Sequence, residues 1–337
     1  MGVVVPLEED RGRGQNAVAQ LQALVADEME AVNEFIRERM SSDVPMIPDL
    51  ASHLINSGGK RLRPMLTIAS SKMCGYKGKD HIKLAATVEF LHTATLLHDD
   101  VVDDANSRRG LVSINKIWNN KAGVLLGDFL LSKGLLIALE NEEHQLLKVQ
   151  SKAVQKMSEG ELRQLKTAGL YNMTEERYYQ IISEKTASLI ATCCECGAIS
   201  ATDDKDMHAL MYEIGMNIGI AFQIRDDLFD YGIYDIGKPT RNDIQERKVT
   251  LPLIKAMEHS SKKESARIRA LMKKRKKKDR EIEEIVQFVH STGGMDYAKE
   301  IMYNYANKAI EALEKVPQSP HTQSFVDLIH FIITRRK

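Results

Sequence analysis

The chain has 337 residues, and its 47 lysines and arginines balance 47 aspartates and glutamates, so the formal net charge is zero. That balance excludes a global electrostatic pull toward nucleic acid or an anionic lipid surface. With 43% hydrophobic and 28% charged residues but only 8 prolines, the composition is that of a globular chain rich in helix and poor in turns.

The first residues, Met1-Gly2-Val3-Val4-Val5-Pro6, lack the basic and long apolar stretches of a signal peptide, and proline at position 6 breaks the N-myristoylation pattern. Residues 1–17 read as a poorly ordered extension. From 18 to 40 the apolar positions Leu21, Leu24, Val25, Met29, Val32 and Ile36 recur at three- and four-residue steps, the spacing of an amphipathic helix. Gly58-Gly59 breaks the pattern and Pro64 marks a helix start. Helical spacing then dominates from Leu66 to Asp104, apart from an interruption around Gly75 to Gly78. Further helices are expected over 120–140, 144–166, 174–200, 206–231, 251–260, 281–290, 295–315 and 322–334. Convincing period-two alternation is absent, and no linker rich in Pro, Gly or Ser divides the chain. The expectation is an all-α fold, a single domain over 1–337 built from ten or more helices. The apolar stretch Val124 to Leu139 is interrupted by Asp128 and Lys133, which argues against a membrane span. Four cysteines do not make a secreted disulfide framework at this length. A cytoplasmic protein is expected, without nucleic-acid binding and with at most peripheral membrane contact.

One acidic motif occurs twice. Asp99-Asp100-Val101-Val102-Asp103 returns as Asp226-Asp227-Leu228-Phe229-Asp230, each copy following apolar helical sequence. Residues four apart on a helix share a face, about 6 Å apart along the axis, so these carboxylates repel unless a cation sits over them. An all-oxygen donor set suits Mg²⁺, which binds through a few carboxylates and keeps positions for substrate phosphates. Neither copy has the spacing or the glycine of an EF-hand calcium loop.

Basic residues gather at the chain breaks. Gly58-Gly59-Lys60-Arg61-Leu62-Arg63-Pro64 puts three cations at a helix start, where free N–H groups favour anions. Arg108-Arg109-Gly110 follows the first acidic motif, and Lys238 and Lys248 follow the second. Arginine pairs bidentately with phosphate and lysine adds point charge. The arrangement favours two anion sites, one bridged by metal and one held by side chains.

On these residues the chain resembles the trans-polyprenyl diphosphate synthases, from about Leu54 to its C-terminus. The marks are GGKRLRP at 58–64, EFLHTATLLHDDVVDDANSRRG at 89–110, LLGDFLLSKG at 125–134, EGELRQL at 159–165, KTASLI at 185–190 and FQIRDDLFDYG at 222–232. The resemblance implies an isoprenoid-synthase bundle around a central cavity, a homodimer, and the substrates isopentenyl diphosphate and an allylic diphosphate. It also implies three Mg²⁺ ions per site, with Asp99, Asp103 and Asp226 as main ligands and Asp100, Asp227 and Asp230 assisting. Carried over by position, Gly59, Lys60, Arg63, His92 and Arg109 would hold isopentenyl diphosphate. Arg108, Lys185, Lys238 and Lys248 would contact the allylic diphosphate, with Thr186 and Gln223 near the reacting carbons. Positions 241 and 247, often glycine in that family, are arginine here, so the loop between Lys238 and Lys248 is expected to close differently. Arg225 adds a cation where many relatives are apolar.

The implied reaction is ionisation of the allylic C–O bond against a Mg²⁺-stabilised leaving group, addition of the isopentenyl double bond, and loss of a proton to the departed diphosphate. Ala94 and Thr95, five and four residues before Asp99, are small where relatives with short products place Phe or Tyr. A medium or long product, C30 to C50, is therefore expected, although Ala94 also fits plain tight helix packing. Cys193-Cys194-Glu195-Cys196 reads as small buried helix residues rather than a zinc or redox site, Met207, Met211 and Met216 as helix-interface residues, and Trp118 as a core anchor. The run Lys273-Lys274-Arg275-Lys276-Lys277-Lys278 reads as a solvated turn between helices, with a polybasic membrane contact as the alternative. Two other functions stay open. A class I terpene cyclase shares the ionisation but uses one diphosphate. An inactive partner subunit of a heteromeric synthase runs counter to two complete acidic motifs.

Overall fold

The computed structural model describes residues 16–56, 60–104, 107–108, 111–140, 144–167, 173–232 and 241–335. The described residues form the expected all-α architecture. In chain order the first helices are α1 (Ala17–Leu24), α2 (Ala26–Arg39), α3 (Met46–Asn56), α4 (Leu62–Met73) and α5 (Asp80–Val102). A two-residue hairpin, β1 (Ser107–Arg108) with β2 (Leu111–Val112), leads to α6 (Ile114–Trp118), α7 (Asn120–Glu140), α8 (His144–Thr167) and α9 (Glu175–Ile182). A π-helical turn, Ser183–Ala187, joins α9 to α10 (Ser188–Ala201), which is followed by α11 (Lys205–Asp230) and α12 (Asn242–Gln245). The chain closes with α13 (Leu251–His259), α14 (Lys262–Lys273), α15 (Asp279–Ser291), α16 (Gly294–Leu313) and α17 (Pro320–Thr334).

Helix α5 is the axis of the molecule. Every residue from Leu84 through His92 is buried, the pattern of a helix enclosed on all sides rather than one with a single apolar stripe. α7 packs along it, α4 and α2 flank it, and α10, α11 and α16 continue the bundle. Two glycines bring helices close enough to shape the interior. A Cβ on Gly160 of α8 would stand 2.8 Å from the Lys185 backbone nitrogen, and one on Gly219 of α11 would stand 2.5 Å from Ala187 Cα. Both contacts fall on the π turn, so α8 and α11 clamp it from two sides.

Some boundaries differ from the sequence expectation. The helix expected over 18–40 breaks at Val25, where φ is −123°. Residues 1–15 of the expected N-terminal extension lie outside the described residues, but Ala17 is already buried in α1. Pro64 sits at the third position of α4, not its start; a missing N–H is harmless in a first turn. Helix α3 was not anticipated, although Ile47, Leu50, Ala51 and Leu54 are all buried at helical spacing, because Pro48 reads as a breaker. The short helices α6 and α12, and α14, were likewise missed. The basic run does fall between α14 and α15, but Lys277 is only 7% exposed and donates to the Lys274 carbonyl at 3.0 Å. It is therefore not a wholly solvated turn. Cys193, Cys194 and Cys196 are buried free thiols, and burial pushes Cys193 up to about 12. Met211 is buried, whereas Met207, Met216 and Trp118 are half-buried against the core. Helix α7 is apolar enough to cross a membrane by length and composition, with mean hydropathy 1.8 over 18 residues. One face packs on α5, while Leu125, Leu136 and Leu139 point outward.

Candidate active site

Both acidic motifs stand at the C-terminal ends of long core helices. α5 stops at Val102, and the Asp103 N–H closes the last turn onto the Asp99 carbonyl at 2.8 Å. α11 stops at Asp230. A helix C-terminus carries partial negative charge, and neither helix has a basic residue in its last turn. Burial adds to this, since Asp100 and Asp227 are each 3% exposed. Carboxylates so placed call for cations from elsewhere.

Between these helix ends lies a cavity of about 480 Å³, and Asp103, Asp227, Lys185, Thr186, Gln223 and Lys248 all line it. One carboxylate from each motif thus faces the same space, as the resemblance implied, together with four more of the expected residues. The π turn supplies Lys185 and Thr186; such turns reorient side chains and occur often at functional sites. The Thr186 hydroxyl donates to Gln223 Oε1 at 2.8 Å, Gln223 Nε2 donates to Asp227 Oδ1 at 2.8 Å, and the Tyr178 hydroxyl donates to Asp227 Oδ2 at 2.7 Å. Even so, burial, followed by the charge of Asp243, raises Asp227 well above the usual carboxylate range. Burial likewise pushes Asp230 up to about 6 and raises Asp243. Burial would lower Lys248, but Asp243 and Glu246 beside it hold its ammonium above the ordinary lysine value.

Other expected residues are arranged differently. Asp226 is bound by Arg335, the residue after α17, whose guanidinium also stacks 4.5 Å from the Phe222 ring. Asp230 turns toward α12 and accepts the backbone N–H groups of Arg241 and Asp243. Asp99 is half-buried. Arg63 Nη1 lies 3.0 Å from His92 Nε2, and Lys60 Nζ lies 4.6 Å from the centre of the Phe331 ring. This second group of expected residues does not line the cavity. Arg61 points inward, 3.4 Å from Glu89, and holds structure. Ala94 is 2% exposed within the core cluster, and the half-buried Thr95 donates to the His92 carbonyl at 2.8 Å. Neither lines this cavity. Gly59, Arg109 and Lys238 lie outside the described residues, and Arg108 is described only as part of β1.

The two arginines at glycine-like positions keep a glycine-like backbone: φ is 77° at Arg241 and 64° at Arg247. The Arg247 N–H bonds to the Ile244 carbonyl at 3.2 Å and the Lys248 N–H to the Asp243 carbonyl at 2.8 Å. That is a Schellman closure of α12 with Arg247 at the left-handed position normally given to glycine. Arg225 donates to the Arg335 carbonyl at 3.1 Å and stacks on Phe229, so it anchors the C-terminal residues.

The sequence reading missed Tyr178, Asp243, Arg335 and Arg275 as site residues. Tyr178 and Asp243 carry no local signal beyond being polar near a motif, and Arg335 is 109 residues from the carboxylate it binds. Glu161, within the matched EGELRQL stretch, pairs with Lys185.

The donor set fits a hard divalent cation. It is all carboxylate, it sits at two negative helix ends, and among the described residues no three such groups close into a cage. A cation bridged by one or two carboxylates and substrate phosphates needs no cage.

Residues 44–289 match the family model described as polyprenyl synthetase. The chain is 34% identical to an octaprenyl diphosphate synthase of Escherichia coli (strain K12) over 94% of this chain and 98% of that one. Its structure resembles a decaprenyl diphosphate synthase from Rhodobacter capsulatus with a TM-score of 0.91 at 39% identity, covering 95% of this chain and 99% of the other. It also resembles a polyprenyl synthase from Caulobacter crescentus CB15, solved with calcium and isoprenyl diphosphate, with a TM-score of 0.87 at 37% identity, covering 95% and 98% of the two chains.

Proposed function

The chain belongs to the polyprenyl synthetase family, and from that premise we propose how its residues divide the work. It is a trans-polyprenyl diphosphate synthase, a prenyltransferase joining isopentenyl diphosphate to an allylic diphosphate to give a medium- or long-chain product. The observation that carries the reading is the cavity that Asp103 of the first motif and Asp227 of the second line together, with Lys185 and Lys248 alongside.

Asp99, Asp103 and Asp226 are the main residues that would hold Mg²⁺, with Asp100, Asp227 and Asp230 assisting. When bound, Mg²⁺ supplies Lewis-acid stabilisation of the leaving diphosphate. Lys185 and Lys248 would add fixed positive charge against that diphosphate, and Arg108 and Lys238 are assigned the same role. Thr186 and Gln223, tied to one another and to Asp227, would lie near the reacting carbons. The group of Lys60, Arg63 and His92, with Gly59 and Arg109, positions isopentenyl diphosphate, so that addition becomes effectively unimolecular. No side chain has to act as a strong base, because the departed diphosphate accepts the proton.

Small side chains at Ala94 and Thr95, where relatives with short products carry Phe or Tyr, support a product of C30 to C50. The outward apolar residues of α7, Leu125 at 68% and Leu136 at 52% exposed, support a homodimer built on that helix. The free buried cysteines support a reducing, cytoplasmic location.

The test is incubation of the purified chain with Mg²⁺, isopentenyl diphosphate and allylic primers of several lengths, with products read by mass spectrometry. Chain elongation requiring both diphosphates is expected. Conversion of the allylic diphosphate alone would identify a cyclase, and no turnover from the pure chain would point to an inactive partner subunit.

A further inference from the structure

Four cations line the cavity among the described residues: Lys185, Arg247, Lys248 and Arg275. Two of them are already neutralised by the chain itself. Lys185 pairs with Glu161, and Lys248 lies 2.7 Å from Glu246 and 3.6 Å from Asp243. Arg247 and Arg275 have no carboxylate within ion-pair distance among the described residues.

Arg247 stands close enough to Lys277 for its charge to help lower that buried ammonium, after burial itself. Lys277 in turn belongs to the basic run from which Arg275 reaches the cavity. The half-buried Arg247 and the exposed Arg275 therefore reach one cavity from two separate loops. Like charges in that arrangement repel unless an anion enters.

The backbone makes the same point independently. Arg247 holds the left-handed position of a Schellman closure, at φ 64°, where glycine would be free of strain and a larger side chain costs about 1 kcal/mol. Nothing in the fold of the loop needs an arginine there. The side chain's one visible consequence is a guanidinium on the cavity wall, next in sequence to Lys248.

We propose that Arg247 and Arg275 form a further phosphate contact for the allylic diphosphate at the cavity rim, beside Lys185 and Lys248. The inference rests on the synthase reading above and deepens it. The allylic substrate is the one concerned because the two arginines share their cavity with Asp103 and Asp227, whereas Arg63 and His92 do not line it. Guanidinium groups can grip phosphate oxygens bidentately, which the paired lysines cannot.

The test is steady-state kinetics of the purified full chain with Mg²⁺, farnesyl diphosphate and isopentenyl diphosphate, comparing wild type with Arg247→Gly, Arg275→Gln, the double variant and Arg247→Lys. Arg247→Gly relieves the strained backbone, so its thermal midpoint should hold or rise and misfolding does not explain a loss. The expected result is a KM for farnesyl diphosphate raised roughly tenfold in each single variant and further in the double variant, as for loss of charge-assisted hydrogen bonds. KM for isopentenyl diphosphate should stay within about twofold, inorganic diphosphate should inhibit more weakly in the same variants, and Arg247→Lys should show a smaller rise than Arg247→Gly. An active wild type with an unchanged farnesyl diphosphate KM in the double variant overturns this inference alone. A wild type that does not elongate overturns the synthase reading and this inference with it.

Discussion

The Tyr178 hydroxyl donates to Asp227 Oδ2 at 2.7 Å from a side chain that is itself 3% exposed, joining α9 to the acidic end of α11. This bond favours the charged carboxylate and opposes the burial that raises it. Tyr178→Phe removes the donor, so Asp227 should bind its proton more tightly. The acidic limb of the pH–rate profile should then move upward, with turnover falling on the acidic side of the profile. An acidic limb that stays put would show that this bond does not set the state of Asp227.

Asp99→Ala should lower turnover by at least about 10²-fold at saturating Mg²⁺, comparable with losing one preorganised electrostatic group. Near-normal kcat would remove Asp99 from the proposed metal set.

Arg335 holds Asp226 before any cation can. Arg335→Ala should therefore lower the Mg²⁺ concentration needed to stabilise the protein in thermal melts by about fivefold, the equivalent of a partly exposed ion pair of about 1 kcal/mol. A higher Mg²⁺ requirement would mean instead that Arg335 assists binding.

Gly219→Ala places a methyl carbon 2.5 Å from Ala187 Cα. The π turn and α11 must then separate, at a stability loss of about 1–3 kcal/mol. Urea unfolding should show the lower midpoint. Because Thr186 and Gln223 sit on the two separated elements, kcat should fall as well.

Ala94→Phe should shorten the product, read by chromatography of dephosphorylated chains. Ala94 is fully packed in the core, so its thermal midpoint has to be measured alongside. An unchanged product from a folded variant would leave Ala94 as packing only.

The linear order of residues was enough to specify most helices, because burial on one side of a helix writes itself as a 3.6-residue period. It failed at α3, where Pro48 sits harmlessly in a first turn, and at Val25, where apolar spacing continues through a broken backbone. The paired acidic motifs and Lys248 stood out in the residues themselves, whereas Lys185, Thr186 and Gln223 came only from the family resemblance. What no pattern carries is which charge meets which. Arg335 on Asp226, Tyr178 on Asp227, and Arg275 in the same cavity as Arg247 join residues far apart in the chain or on different loops. Those meetings depend on how the helices and loops pack, as do the close contacts of Gly160 and Gly219 with the π turn. Local periodicity determines which face of an element is buried; only the packed bundle determines what that face lies against.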